Sequence, residues 1–97
     1  MRLEWDDVKN AENIRKHGID FADAVRVFGG PMLEALDSRY DYGEDRFIGI
    51  GMLGSRTIVV VYTERGSDVI RIISARKALS HEAKRFADHL RDRLGPG

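Results

Sequence analysis

Hydrophobic residues change period along this chain, and each change marks an element. Residues 2–5, "RLEW", alternate, with Leu3 and Trp5 on one side, and predict a short first strand. Asp6 or Asp7 then caps a helix whose apolar residues Val8, Ala11 and Ile14 form one stripe. Gly18, after "RKH", stops that helix with cations in its last turn, where the helix dipole favours them. Asp20 caps a second helix, "FADAVRVF", with Asp23 at the capping-box position and Ile19 and Ala24 placed as a hydrophobic staple. "GGP" at 29–31 ends it.

Strands follow. "MLEALD" is a weak candidate, and "SRYDYGED" is a polar turn region. "RFIGIGML" is a strand in which Gly49 and Gly51 let another backbone or a ligand come close. A turn at Gly54 and Ser55 leads into "RTIVVVYTE", the strongest strand, and "RGSD" turns again into "VIRIISA". Ser80 then caps an amphipathic helix with Leu79, Ala83, Phe86, Ala87, Leu90 and Leu94 on its apolar side, and "GPG" frays the end. The order β-α-α-β-β-β-β-α is that of an α+β fold, helices against a mostly antiparallel sheet, in one domain spanning residues 1–97.

The stretch "VIRIISARKALS", residues 69–80, breaks the apolar pattern of its own strand with Arg71 and closes on Arg76 and Lys77. Register decides which side chains share a face with these cations. With Glu64 opposite Val69 and four loop residues, Glu64, Tyr62 and Arg71 lie on one side, and Arg76 shares the other with Ser74 and Thr63; a one-residue slip joins Glu64 to Ser74 and Arg76 instead. The four-residue loop favours the first. From pattern alone an ordinary cross-strand ion pair is the plainer account of Glu64 and Arg71. For His17, likewise, a cation at a helix C-terminus is a plainer account than catalysis.

Composition narrows the chemistry. The chain has 16 Lys and Arg against 16 Asp and Glu, but residues 1–45 hold 6 against 11 and residues 46–97 hold 10 against 5. Net charges of −5 and +5 in the two halves can present faces of opposite sign, the basic one suited to phosphates or to an acidic protein. There is no cysteine, which excludes disulfides and thiolate metal sites and fits a reducing, cytoplasmic setting. No segment has membrane-spanning length, and the N-terminus lacks the apolar core of a signal peptide. His81 and His89 stand about 12 Å apart along a helix axis and cannot share an ion, so no metal or other cofactor is expected. "GIGMLG" matches a nucleotide-binding pattern by letters only, since it leads into a hairpin. What remains is a set of cations with a carboxylate, a tyrosine and a histidine. Cleaving RNA without metal needs that kit: a base for the 2′-hydroxyl, an acid for the 5′-oxygen, and cations for the charge that develops on phosphorus.

The stretches "EWDDVKNAENIRKHGIDFADAVRVF", "GEDRFIGIG" and "VVVYTERGSDVIRIISARKALSHEAKRF" closely resemble the BrnT family of bacterial toxins, over about residues 4–86. The most specific pieces are Trp5, Asp6, Lys9, Asn13, Lys16, His17 and Gly18, and "YTERG" followed by "IRIISARKA". The resemblance implies a compact RelE-like fold and a ribonuclease that halts translation as the toxin of a type II toxin–antitoxin pair. It further implies neutralisation by a BrnA-type antitoxin, through which the complex reaches operator DNA. Phe86 stands where family members often carry tyrosine; it cannot transfer a proton, and its expected place is the core. The candidate catalytic residues are Lys16, His17, Arg46, Glu64, Arg71 and Arg76, with Arg71 and Arg76 expected to hold phosphate rather than to secure the fold. The competing function is a non-catalytic RNA- or protein-binding module that acts only as antitoxin partner and co-repressor.

Overall fold

The structure, a computed structural model, describes residues 1–39, 41 and 43–95. Tyr40 and Tyr42 of the expected turn region, and Pro96 and Gly97 of the expected frayed end, lie outside the described residues. The elements are β1 (Arg2–Glu4), α1 (Asp7–His17), α2 (Phe21–Ala24) continued by a 3-10 turn (Val25–Gly29), β2 (Leu33–Asp37), β3 (Arg46–Leu53), β4 (Arg56–Arg65), β5 (Val69–Lys77) and α3 (Ser80–Leu94). The order matches the predicted β-α-α-β-β-β-β-α, and the fold is α+β. The strands form one sheet in the order β1-β5-β4-β3-β2, antiparallel except where β1 runs parallel to β5.

Local chemistry accounts for the ends of the elements. The Asp6 carboxylate accepts from the Val8 and Lys9 amides at 2.9 and 3.1 Å and starts α1. Gly18, at φ 70°, ends it. Asp20 accepts from the Ala22 amide at 2.9 Å. Its helix is shorter than predicted, one α-turn that tightens into 3-10. At α3 the expected cap is displaced by one residue. Ser80 is already helical, and the Glu82 carboxylate reaches back to accept from the Leu79 amide at 2.8 Å.

The two sheet faces are unlike. One face presents Ile58, Val60, Tyr62, Ile72 and Ala75 to Ile19, Phe21, Ala24 and Val27, and forms the main core. Trp5 meets Phe21 edge to face there. Gly49 and Gly51 serve this packing: an added Cβ would lie 2.4 Å from the Met32 methyl and 2.5 Å from Val27 Cγ1. Among the described residues the hydrophobic cluster of the other face is Ile50 and Val59 beneath Phe86 of α3, with Thr63 also buried on that face.

α1 docks opposite to expectation. Val8 and Ile14 of the predicted apolar stripe are 74% and 42% exposed, and the buried residue of the helix is Asn13. The reason lies at the sheet edge. β1 covers β5 only along residues 69–71, so the backbone of β5 beyond them needs other partners. Asn13 supplies them: its Oδ1 accepts from the Ala75 amide at 3.1 Å, and its Nδ2 donates to the Ala75 and Ile19 carbonyls at 2.8 and 2.9 Å. Asn10 adds an anchor by accepting from the Phe21 amide at 2.8 Å.

Candidate nucleic-acid interface

β5 is not a regular strand. Arg65 pairs with Val69, leaving a three-residue loop at 66–68, so Glu64 opposes Ile70 and Thr63 opposes Arg71. The favoured register is therefore off by one, and Glu64 lies on the helix-covered face, away from Arg71. One further irregularity follows: Tyr62 pairs with Ile72, but Val61 pairs with Ser74, so Ile73 is an extra, bulged residue. Arg71 and Arg76 are five apart, a spacing that puts them on opposite faces of a regular strand. The bulge re-phases β5, and Arg71, Ser74 and Arg76 all join the face of Val59, Val61 and Thr63.

This face has a polar row at one end. The paired registers align Glu4 with Arg71, Arg71 with Thr63, and Arg46 with Asp37. The Phe47–Tyr62 pairing sets Arg46 next to Thr63, whose hydroxyl donates to the Asp45 carbonyl at 2.8 Å. Neighbouring strands lie about 5 Å apart, so Arg46 and Arg71 straddle Thr63 about 10 Å from one another. α3 covers the far end, over Ile50 and Val59.

The arginines differ in how far they are engaged. Arg76 forms a two-pronged ion pair with Glu82, both contacts 2.8 Å, with the Glu82 side chain 15% exposed. The guanidinium holds the Glu82 carboxyl down at about 2, and Glu82 in turn raises the pKa of Arg76. Arg76 thus clamps the start of α3 to β5, a structural task contrary to the expectation that it only holds phosphate. Arg71 meets Glu4 through a single nitrogen at 3.2 Å. Arg46 and Arg65 approach Glu44 at 3.5 and 3.6 Å. A guanidinium has five N–H donors in a fixed fork, so Arg71 retains donors that Arg76 has spent.

Lys16 and His17 arrive from the side. The docking of Asn13 sets the last turn of α1 beside the bulge, and a groove there is lined by Lys9, Glu12, Asn13, Lys16 and His17 of the helix and by Ile73 and Ser74 of β5. Ser74 lies between Arg71 and Arg76 on the open face, so the groove opens onto the arginine strip. The imidazole is the ordinary side chain for taking and giving a proton near neutral pH.

Five of the six sequence candidates, Lys16, His17, Arg46, Arg71 and Arg76, thus lie on or at the rim of one face; Glu64 does not. Tyr62 is core: its ring stacks on Phe47 and meets Phe28 edge to face, and its hydroxyl donates to Glu34. Burial, then that hydrogen bond, pushes the phenol well above its ordinary range and out of acid–base use. Phe86 is buried, as expected. Ser74, placed beside Arg76 by the sequence but not ranked among the candidates, shares the face of Arg71 as well, and only the spacing of Arg71 and Arg76, odd for one face, hinted at the bulge. Among the described residues no three His, Cys, Asp or Glu side chains gather as metal ligands, and no helix is long and apolar enough to cross a membrane.

Residues 5–82 match the family described as "Ribonuclease toxin, BrnT, of type II toxin-antitoxin system". The structure is similar to a 1.1 Å crystal structure of the Brucella abortus ribonuclease toxin BrnT, with a TM-score of 0.65 and 33% sequence identity over 82% of this chain and 99% of that one. No curated protein matches the sequence.

Proposed function

Because the chain belongs to the BrnT family of ribonuclease toxins of type II toxin–antitoxin systems, we propose that it cuts RNA on the open sheet face, without a metal ion. The single observation that carries this reading is Arg71. It stands on a rigid strand, on the face that α3 leaves open, with only one of its nitrogens engaged. Its remaining donors grip the phosphate, and Arg46 adds a second guanidinium across Thr63. The 2′-hydroxyl attacks the adjacent phosphorus as His17, at the rim, takes its proton; the P–O5′ bond breaks and the departing 5′-oxygen takes a proton from water, giving a 2′,3′-cyclic phosphate and a 5′-hydroxyl. Lys16 and Arg71 offset the charge that grows on the phosphoryl oxygens.

In the cytoplasm such cleavage halts translation. A BrnA-type antitoxin restrains it by covering the cations of this face, and operator DNA is reached only through that antitoxin. The test is expression alone and with the antitoxin, following growth and bulk RNA, for the wild type, Arg71→Ala and Arg71→Lys. The wild type alone arrests growth and degrades RNA, and both variants lose activity because lysine keeps the charge but not the fork. If RNA stays intact while the protein still binds it, the chain is a binding module and the catalytic reading falls.

A further inference from the structure

The α1–β5 groove holds features that the cleavage step does not use. α1 turns Lys9, Asn13 and Lys16, at positions i, i+4 and i+7, toward β5. Three Asn13 hydrogen bonds fix the helix there, so its cations project from a rigid support. Arg39, Arg46, Arg65, Arg71 and Arg76 each face a carboxylate of this chain. Lys9 and Lys16, by contrast, have no carboxylate within ion-pair distance among the described residues, and the one acid lining the groove, Glu12, is turned to Arg15 at 3.7 Å. Across the groove the bulge presents the Ser74 hydroxyl, which has no hydrogen-bond partner among the described residues. Unpaired ammonium groups and an unpaired hydroxyl lining one groove are suited to a phosphodiester. Lys9 and Lys16 stand two helical turns apart, about 10 Å, too far to share one phosphate and far enough to track a strand.

We infer that this groove is a subsite for the backbone of single-stranded RNA beyond the cut: Lys9 and Ser74 hold the phosphate of a flanking nucleotide, and Lys16 bridges it to the reacting one. The inference rests on the ribonuclease reading above. It assigns Lys9 and Ser74 to substrate positioning rather than to chemistry, and it gives the strand a direction, out from the arginine row and along α1.

Binding of a 2′-O-methyl oligoribonucleotide, which cannot be cut, is measured against potassium chloride concentration. Each phosphate contact made to a single strand contributes a slope of about 0.7 in log K against log salt. Lys9→Gln lowers the slope by about 0.7 and weakens binding about tenfold at low salt; Ser74→Ala weakens it a few-fold with the slope kept. With a cleavable oligonucleotide long enough to fill the groove, both variants raise KM while kcat holds. Arg56→Gln, an exposed cation on the far hairpin, is the control and alters neither. Melting curves confirm that every variant is folded. If Lys9→Gln keeps the wild-type slope and KM, or if Arg56→Gln matches its loss, the subsite is refuted while the cleavage site stands. If the wild type shows no salt-dependent binding at all, the RNA face falls and takes the subsite with it.

Discussion

Replacing Arg76 by alanine removes the guanidinium that, among the described residues, holds Glu82. The pair has two charge-assisted contacts of 2.8 Å, with the arginine side chain 35% exposed and the glutamate 15%. Hydrogen bonds to charged groups contribute about 1.5–3 kcal/mol, and partial exposure of the arginine argues for the lower half, about 2 kcal/mol. In a domain of this size each kcal/mol moves the melting temperature by roughly 4–8 °C, so Arg76→Ala melts roughly 8–16 °C below the wild type. Arg71→Ala loses one 3.2 Å contact with a Glu4 side chain that is 38% exposed, worth about 0.5 kcal/mol and a few degrees. Its loss in RNA cleavage is far larger, on the order of a hundredfold, because a cation at a developing phosphoryl charge contributes about 3 kcal/mol to the transition state. Two arginines five residues apart thus separate, one by stability and one by rate. The pH dependence adds a second check. The folded-state pKa of Glu82 is depressed from 4.5 to about 2, so the stability it confers is complete above about 4.5 and is lost as pH falls toward 2. Calorimetry from pH 7 to pH 2.5 therefore shows a constant gap between wild type and Arg76→Ala at neutral pH that narrows below about 4.5. Equal melting temperatures at pH 7, or a gap as wide at pH 2.5 as at pH 7, would refute the assignment of Arg76 as a clamp.

Asn13→Ala leaves the Ala75 amide and carbonyl unpaired at a buried edge, costs about 3 kcal/mol, and lowers the denaturant midpoint accordingly. Gly51→Ala destabilises by about 1–3 kcal/mol, because the new Cβ meets Val27, a buried β-branched side chain, whereas Gly49→Ala meets the end of flexible Met32 and costs less; chemical denaturation ranks the two. Glu64→Gln leaves RNA cleavage within about twofold of wild type, since its side chain lies on the opposite face; a large loss would return Glu64 to the site. Cleavage by highly purified protein survives excess EDTA, and rescue of a chelated, inactive sample by a divalent ion would overturn the metal-free mechanism.

Much of this molecule was legible in its sequence, because the determining forces were local. Apolar periodicity, the caps at Asp6 and Asp20 and the stop at Gly18 act within a few residues, so the element order and its α+β class followed from pattern alone. The resemblance of "WDDVKNAENIRKHG" and "YTERG" was likewise readable in the letters, although they concealed that Asn13 is a sheet-edge partner. What only the tertiary structure decided were the facing relations. The loop at 66–68 closed one residue shorter than expected and turned Glu64 away from Arg71, and the bulge at Ile73 brought Arg71 and Arg76 together. α1 presented asparagine instead of its aliphatic stripe, because an uncovered strand edge demands hydrogen bonds more strongly than Val8 and Ile14 demand burial. Side-chain direction in a sheet has a period of two, so one residue of slip or insertion inverts every face beyond it; cross-strand pairing, which no single segment contains, sets that count.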